Sequence, residues 1–146
     1  MKKIIIYTDG GSRGNPGKAG IGVVFYNESG IIIKKYGQYL GDPFTNNEAE
    51  YHAVISGLKT LLAMPEFVAK ETAVEVCSDS QLLVNQVSGT FKIKQEHIRA
   101  FVVTIHRLIE QFATVKFVSI PREKNKEADA LVNEALDAQA GSKSLF

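Results

Sequence analysis

Apolar and polar positions along this 146-residue chain change rhythm twice. Residues 3–8 (KIIIYT) are a continuous β-branched run, which predicts a buried central strand. Residues 10–20 (GGSRGNPGKAG) hold five glycines and a proline and read as a loop. Residues 21–27 and 31–40 predict two more strands around a hairpin turn at 27–30. The period then lengthens. Thr45 and Glu48 have the spacing of a capping box. After them Tyr51, Val54, Ile55, Leu58, Leu61 and Leu62 mark one face of a helix. Residues 73–78 (AVEVCS) alternate as a fourth strand, and 80–88 predict a short helix. A longer helix is marked by Ile98, Phe101, Val102, Ile105, Leu108, Ile109 and Phe112. Residues 115–120 give a fifth strand that Pro121 ends. Ala128, Leu131, Val132, Ala135 and Leu136 mark the last helix.

The order βββαβααβα predicts an α/β fold: a five-stranded mixed sheet, three antiparallel strands then two in β-α units, with helices on both faces. Residues 1–140 are expected to form a single catalytic domain and 141–146 a flexible C-terminal tail. The composition is 45% hydrophobic and 23% charged, which excludes a disordered chain. Cys77 is the only cysteine, which excludes a disulfide scaffold and is expected to be a buried small hydrophobe. No apolar run approaches the ~20 residues that span a bilayer, and the first strand lacks the features of a signal peptide. A cytoplasmic monomer with no membrane partner is expected. The net charge of +1 means that any basic face must be local.

Four acidic residues sit at the ends of elements. Asp9 closes the first strand and Asp79 the fourth, while Glu50 and Asp129 lie beside the apolar stripes of their helices. Each has an ordinary structural reading: a turn starter for Asp9, an N-cap for Asp79, helix-dipole partners for Glu50 and Asp129. Together they suggest more, because the carboxyl ends of neighbouring strands form the ligand crevice of α/β sheets. Four converging carboxylates require cations, and hard oxygen ligands without His or Cys suit two Mg²⁺ (or Mn²⁺) rather than zinc. A two-metal carboxylate site is suited to phosphodiester hydrolysis.

Four segments, YTDGGSRGNPG (7–17), TNNEAEY (45–51), SDSQLLVNQ (78–86) and NKEADALVNEAL (125–136), resemble in order and spacing the signature segments of type 1 ribonuclease H. The resemblance implies that fold over nearly the whole chain. It implies an endoribonuclease that cuts the RNA strand of RNA–DNA hybrids by a two-metal-ion mechanism, leaving 5′-phosphate and 3′-hydroxyl ends. The alternatives are a catalytically weak hybrid- or RNA-binding module, or a broader nuclease that also cuts double-stranded RNA. The family's Asp-Glu-Asp-Asp metal site maps onto Asp9, Glu50, Asp79 and Asp129. Glu48 lies two residues, ~200° of helix, from Glu50 and keeps the capping role. Substrate-binding positions of the family match Gly10, Ser12, Gly14 and Asn15 in the glycine segment, and Thr45, Asn46, Asn47 and Gln81 around the helix starts. Thr45 matches a position near a DNA-strand phosphate, and Asn125 an Asn near the site.

Two departures stand out. The loop before the last Asp, PREKNKEAD (121–129), has no histidine, and Arg122 is the cation in its place. An arginine holds a phosphate but does not deprotonate. The basic, Trp-rich protrusion of some members is replaced by a short stretch in which Lys92, Lys94 and Arg99, with Phe91, suggest a small phosphate-facing patch. His52, His97 and His106 all lie on predicted helices and are expected to be packing or surface residues.

Overall fold

The computed structural model describes residues 2–89 and 92–144. Three strands come first: β1 (Lys2–Arg13), β2 (Gly17–Asn27) and β3 (Ile32–Phe44). Then follow α1 (Asn46–Ala63), β4 (Thr72–Ser78), α2 (Gln81–Val87), α3 (Glu96–Ile109), β5 (Thr114–Ser119) and α4 (Lys126–Ser144). The strands form one sheet in the order β3-β2-β1-β4-β5. The β1–β2 and β2–β3 pairs are antiparallel, and the β1–β4 and β4–β5 pairs are parallel. This is the expected mixed sheet, with β1 at its centre.

Strand alternation sorts side chains into two layers. Ile4 and Ile6 of β1 and Val23 and Phe25 of β2 join Tyr51, Val54, Leu58 and Leu61 of α1 and Ile98 and Ile105 of α3 in one apolar cluster. Gly22, next to Val23, faces the other way, and there α4 lies against β2 and β3. Helices thus cover both faces.

The main correction concerns residues 10–20. They are not a loop: residues 10–13 extend β1 and pair with 18–21 of β2, leaving only 14–16 as the turn. Glycine is costly in a strand on entropic grounds, but here it is needed where helix backbone approaches the sheet. A Cβ on Gly22 would lie 2.1 Å from the Ala128 carbonyl oxygen of α4. The third strand also runs past its expected end at residue 40, to Phe44. As an edge strand it tolerates Pro43, whose missing N–H breaks no ladder. Helix α4 runs through Ser144 and contains no proline to stop it. Residues 145–146 and Phe91 lie outside the described residues. Among the described residues, no helix is long and apolar enough to cross a membrane.

Candidate active site

Parallel pairing of β1 with β4 sets Thr8 opposite Ser78, so the next residues, Asp9 within β1 and Asp79 just past the end of β4, come side by side. Helix α1 supplies the third carboxylate. Its start is fixed by the capping box: Glu48 N–H donates to Thr45 Oγ1 at 3.1 Å, and Thr45 N–H donates to Glu48 Oε1 at 2.8 Å. Glu50, just beyond, turns toward the sheet. One carboxylate oxygen from each of Asp9, Glu50 and Asp79 lies within 4.8 Å of the others. Close approach of α1 is possible because residue 10 has no side chain: a Cβ there would stand 2.3 Å from the Ala49 carbonyl carbon. Asp129, in the first turn of α4, lines the same cleft of about 270 Å³.

The electrostatics are those of an uncompensated anionic cluster. Burial, the Asp79 charge, and a hydrogen bond and charge from Asp129 push the Asp9 carboxyl up to about 8, against a smaller lowering by the Gly10 backbone N–H. Burial, then Asp9 and Asp79, raise Glu50 well above the usual carboxylate range. Glu50 Oε2 is buried and accepts no hydrogen bond. An oxygen of this kind among carboxylates fits a hard cation, so the donor set suits a divalent metal.

Asn125 braces the cluster. It is 1% exposed, and its Nδ2 donates to the Thr8 carbonyl at 2.9 Å and reaches Asp79 Oδ2 at 3.5 Å. The expected substrate-binding residues form a second network beside it. Ser12 N–H donates to Asn46 Oδ1 at 2.8 Å, and Asn46 N–H donates to Asn15 Oδ1 at 3.0 Å. Ser12 Oγ donates to the Phe44 carbonyl at 2.7 Å and also lies against the Gly14 carbonyl. Gly14 takes φ +86°, which favours glycine. The β1–β2 turn is thereby tied to the start of α1. Gly10, Ser12, Asn46 and Arg122 line the cleft with the four carboxylates. Asn47 lies half-buried beside them with an unpartnered Oδ1. Gln81 is exposed at the start of α2, and Lys92 and Lys94 are exposed on the segment before α3.

A family model described as reverse transcriptase-like matches residues 7–135. The chain is 45% identical to LC11-RNase H1, isolated from compost, in a crystal structure with an RNA/DNA hybrid. That match has a TM-score of 0.86 over 94% of this chain and 99% of the other. The chain belongs to the type 1 ribonuclease H family. It is also 37% identical over 135 residues to a ribonuclease HI of Halobacterium salinarum, covering 92% of this chain and 65% of that protein. A bifunctional protein of Mycobacterium tuberculosis is 38% identical over 141 residues, 96% of this chain but 37% of that protein. The chain therefore spans little more than a third of its mycobacterial relative and under two thirds of the haloarchaeal one.

The histidines of this chain pack rather than face the four clustered carboxylates. His52 lies edge-on to Phe44 and Phe101, His97 Nε2 is 3.8 Å from Glu48 Oε2, and His106 Nε2 meets the Val87 carbonyl at 3.0 Å. Cys77 is buried and its thiol is pushed up to about 11, chiefly by burial, which makes it inert. Two polar side chains of the cleft escape a reading of the sequence alone, Arg13 and Asn133. Treating 10–20 as a loop hides Arg13; the strand alternation Asp9, Gly11, Arg13 would have revealed it.

The raised carboxyls predict an unusual pH dependence. A group whose folded value exceeds its unfolded value stabilises the fold fully below about pH 4 and ceases to do so as pH rises through about 8. The chelated protein should therefore lose melting temperature between pH 5 and 8.5, and divalent metal should restore much of it. His52, held below the usual imidazole range chiefly by burial, contributes a slope of the opposite sign. Thermal melts with and without metal across this range check the sign; a metal-free protein that gains stability steadily up to pH 8.5 refutes it.

Proposed function

We propose that this ribonuclease H hydrolyses the RNA strand of RNA–DNA hybrids internally, leaving 5′-phosphate and 3′-hydroxyl ends. The observation that carries this reading is the half-buried carboxylate cluster, with its unpartnered Glu50 oxygen, set beside a pre-formed polar groove. Asp9, Glu50, Asp79 and Asp129 would hold two divalent ions, Mg²⁺ (or Mn²⁺). When bound, such ions supply an activated water and neutralise charge on the leaving oxygen. The chain's own residues do the rest. Gly10 lets Glu50 close on Asp9, and Asn125 fixes Asp79 against the end of β1. Arg122, the cation of the histidine-less loop, holds a phosphate.

Groove chemistry supports a minor-groove substrate. The side-chain carbonyls of Asn15 and Asn46 already accept backbone N–H groups, so their amide NH₂ groups are what they offer. Those donors suit 2′-hydroxyl oxygens and base acceptors in the wide minor groove of an A-like duplex. Thr45, Asn47 and Gln81 extend this surface, with Thr45 near a phosphate of the DNA strand. Lys92 and Lys94 add a modest basic patch. The free, buried Cys77 is compatible with a reducing cytoplasm, and the site needs no second subunit, which favours a monomer.

An end-labelled sequence prepared as hybrid, all-RNA and all-DNA duplex, with Mg²⁺, with Mn²⁺ or with chelator, tests the reading. Internal cuts in the RNA strand of the hybrid, lost with chelator, are expected. KM should climb steeply with salt, because phosphate contacts dominate the binding. Tight binding without cutting in either metal would instead make the chain a hybrid-binding module. Equal cutting of all-RNA duplex would make it the broader nuclease.

A further inference from the structure

The cleft continues beyond the carboxylates. Asp9, Gly11 and Arg13 fall on one face of β1, since strand side chains alternate, and all three line the cleft. Facing them, α4 carries Asp129, Asn133 and Asp137, four residues apart and so stacked on one helical face. Side chains join the two rows. Asn133 Nδ2 donates to the Asp129 main-chain carbonyl at 3.2 Å and reaches the Asp129 carboxylate at 3.5 Å. Asn133 Oδ1 accepts from Arg13 Nη2 at 3.4 Å, and the same Nη2 lies 2.7 Å from Asp137 Oδ1. A continuous polar line thus runs from the carboxylate site to the Arg13 guanidinium. Its far end lies about 12 Å on, whether measured as four strand residues or eight helix residues.

We infer that Arg13 is a second phosphate subsite of this cleft, taking a backbone phosphate of the cut strand a few nucleotides from the scissile bond, with Asn133 bonded to its guanidinium and Asp137 as the counter-ion that the phosphate displaces. This rests on the nuclease reading above. Three observations support it. The contacts to Asn133 and Asp137 both fall on Nη2, and a guanidinium fork has further donors, in a geometry that matches phosphate. The Arg13 and Asp137 side chains are 46% and 69% exposed, and an exposed ion pair of this kind is weak enough to yield to a phosphate. The cleft is also strongly acidic, and Arg13 and Arg122 are the cations among its lining residues. A polyanion entering it needs both.

The test measures hybrid cleavage by the wild type, Arg13→Ala, Arg13→Lys and Asp137→Asn between about 50 and 200 mM salt. Arg13→Ala should raise KM by about 3–10-fold, more than it changes kcat, and should lower the salt slope by about 0.7–0.9. Arg13→Lys should keep the slope and recover part of the KM, because it retains the charge but not the fork. Asp137→Asn should act in the opposite sense, lowering KM by about 2-fold or more, because it frees the same guanidinium. A clasp that only ties β1 to α4 behaves differently. Arg13→Ala and Asp137→Asn would then lower the melting temperature together and leave KM and the slope alone, which overturns the subsite. A wild type that cuts no hybrid overturns the nuclease reading itself, and the subsite with it.

Discussion

Asp9→Asn should lower hybrid cleavage by about 10³-fold or more and, without metal at pH 8, should raise the melting temperature. The two effects have one origin. Asp9 is buried and faces Asp79, Glu50 and Asp129, so its charge is costly until cations arrive. The amide keeps the shape but removes an anionic ligand at the reacting centre, where lost charge stabilisation costs several kcal/mol. In the metal-free fold the same change relieves repulsion. At ~3 °C per kcal/mol for a chain of this size, a gain of a few degrees is expected. Single-turnover cleavage and thermal melts on the same preparations check both halves. Cleavage within tenfold of wild type would remove Asp9 from the catalytic set, and a lower metal-free melting temperature would contradict the electrostatics.

Gly10→Ala should destabilise the fold by about 3 kcal/mol or more and take most of the activity with it, whereas Gly11→Ala should be nearly silent in stability. The residues are adjacent in one strand and differ in what they face. The Gly10 Cβ would meet Ala49 backbone atoms at 2.3 Å and the Glu50 nitrogen at 2.5 Å, so α1 must move and carry Glu50 with it. The Gly11 Cβ would find Val132 at 3.6 Å, an ordinary contact, and alanine there shortens the list of unfolded conformations. Denaturant unfolding of both variants decides it. Equal destabilisation would mean that glycine serves backbone freedom here rather than close approach.

Much of this was legible in the sequence because pattern and position coincide. The apolar run before Asp9, the capping box before Glu50 and the alternation before Asp79 each place a carboxylate at the end of a predictable element. The choice of Glu50 over Glu48 came from the family pattern, with helical rotation allowing only one of the two to face the site, and the capping bonds of Glu48 agree with it. The glycine segment was illegible for a definite reason. Turn propensity describes what glycine permits locally, whereas at Gly10 and Gly22 its absent side chain serves contacts with residues 49 and 128, far along the chain. The Asn15–Ser12–Asn46 bonds were hidden for the same reason, since they join residues about 30 apart.

The place of β1 in the sheet also bears on how the molecule comes into being. β1 can close a hairpin with β2 at once, but its parallel partner lies 70 residues on, Lys2 against Thr72, and the covering helix α4 comes last. During synthesis the N-terminal three strands must therefore wait, with one face of a central strand uncovered, until α4 has followed. Long-range closure of this kind slows folding. Because Asp9, Glu50, Asp79 and Asp129 are drawn from successive stretches of the chain, a nascent fragment that lacks α4 carries an incomplete ligand set. On the proposed four-carboxylate metal site, tight metal uptake would be a late event and a readout of completed folding.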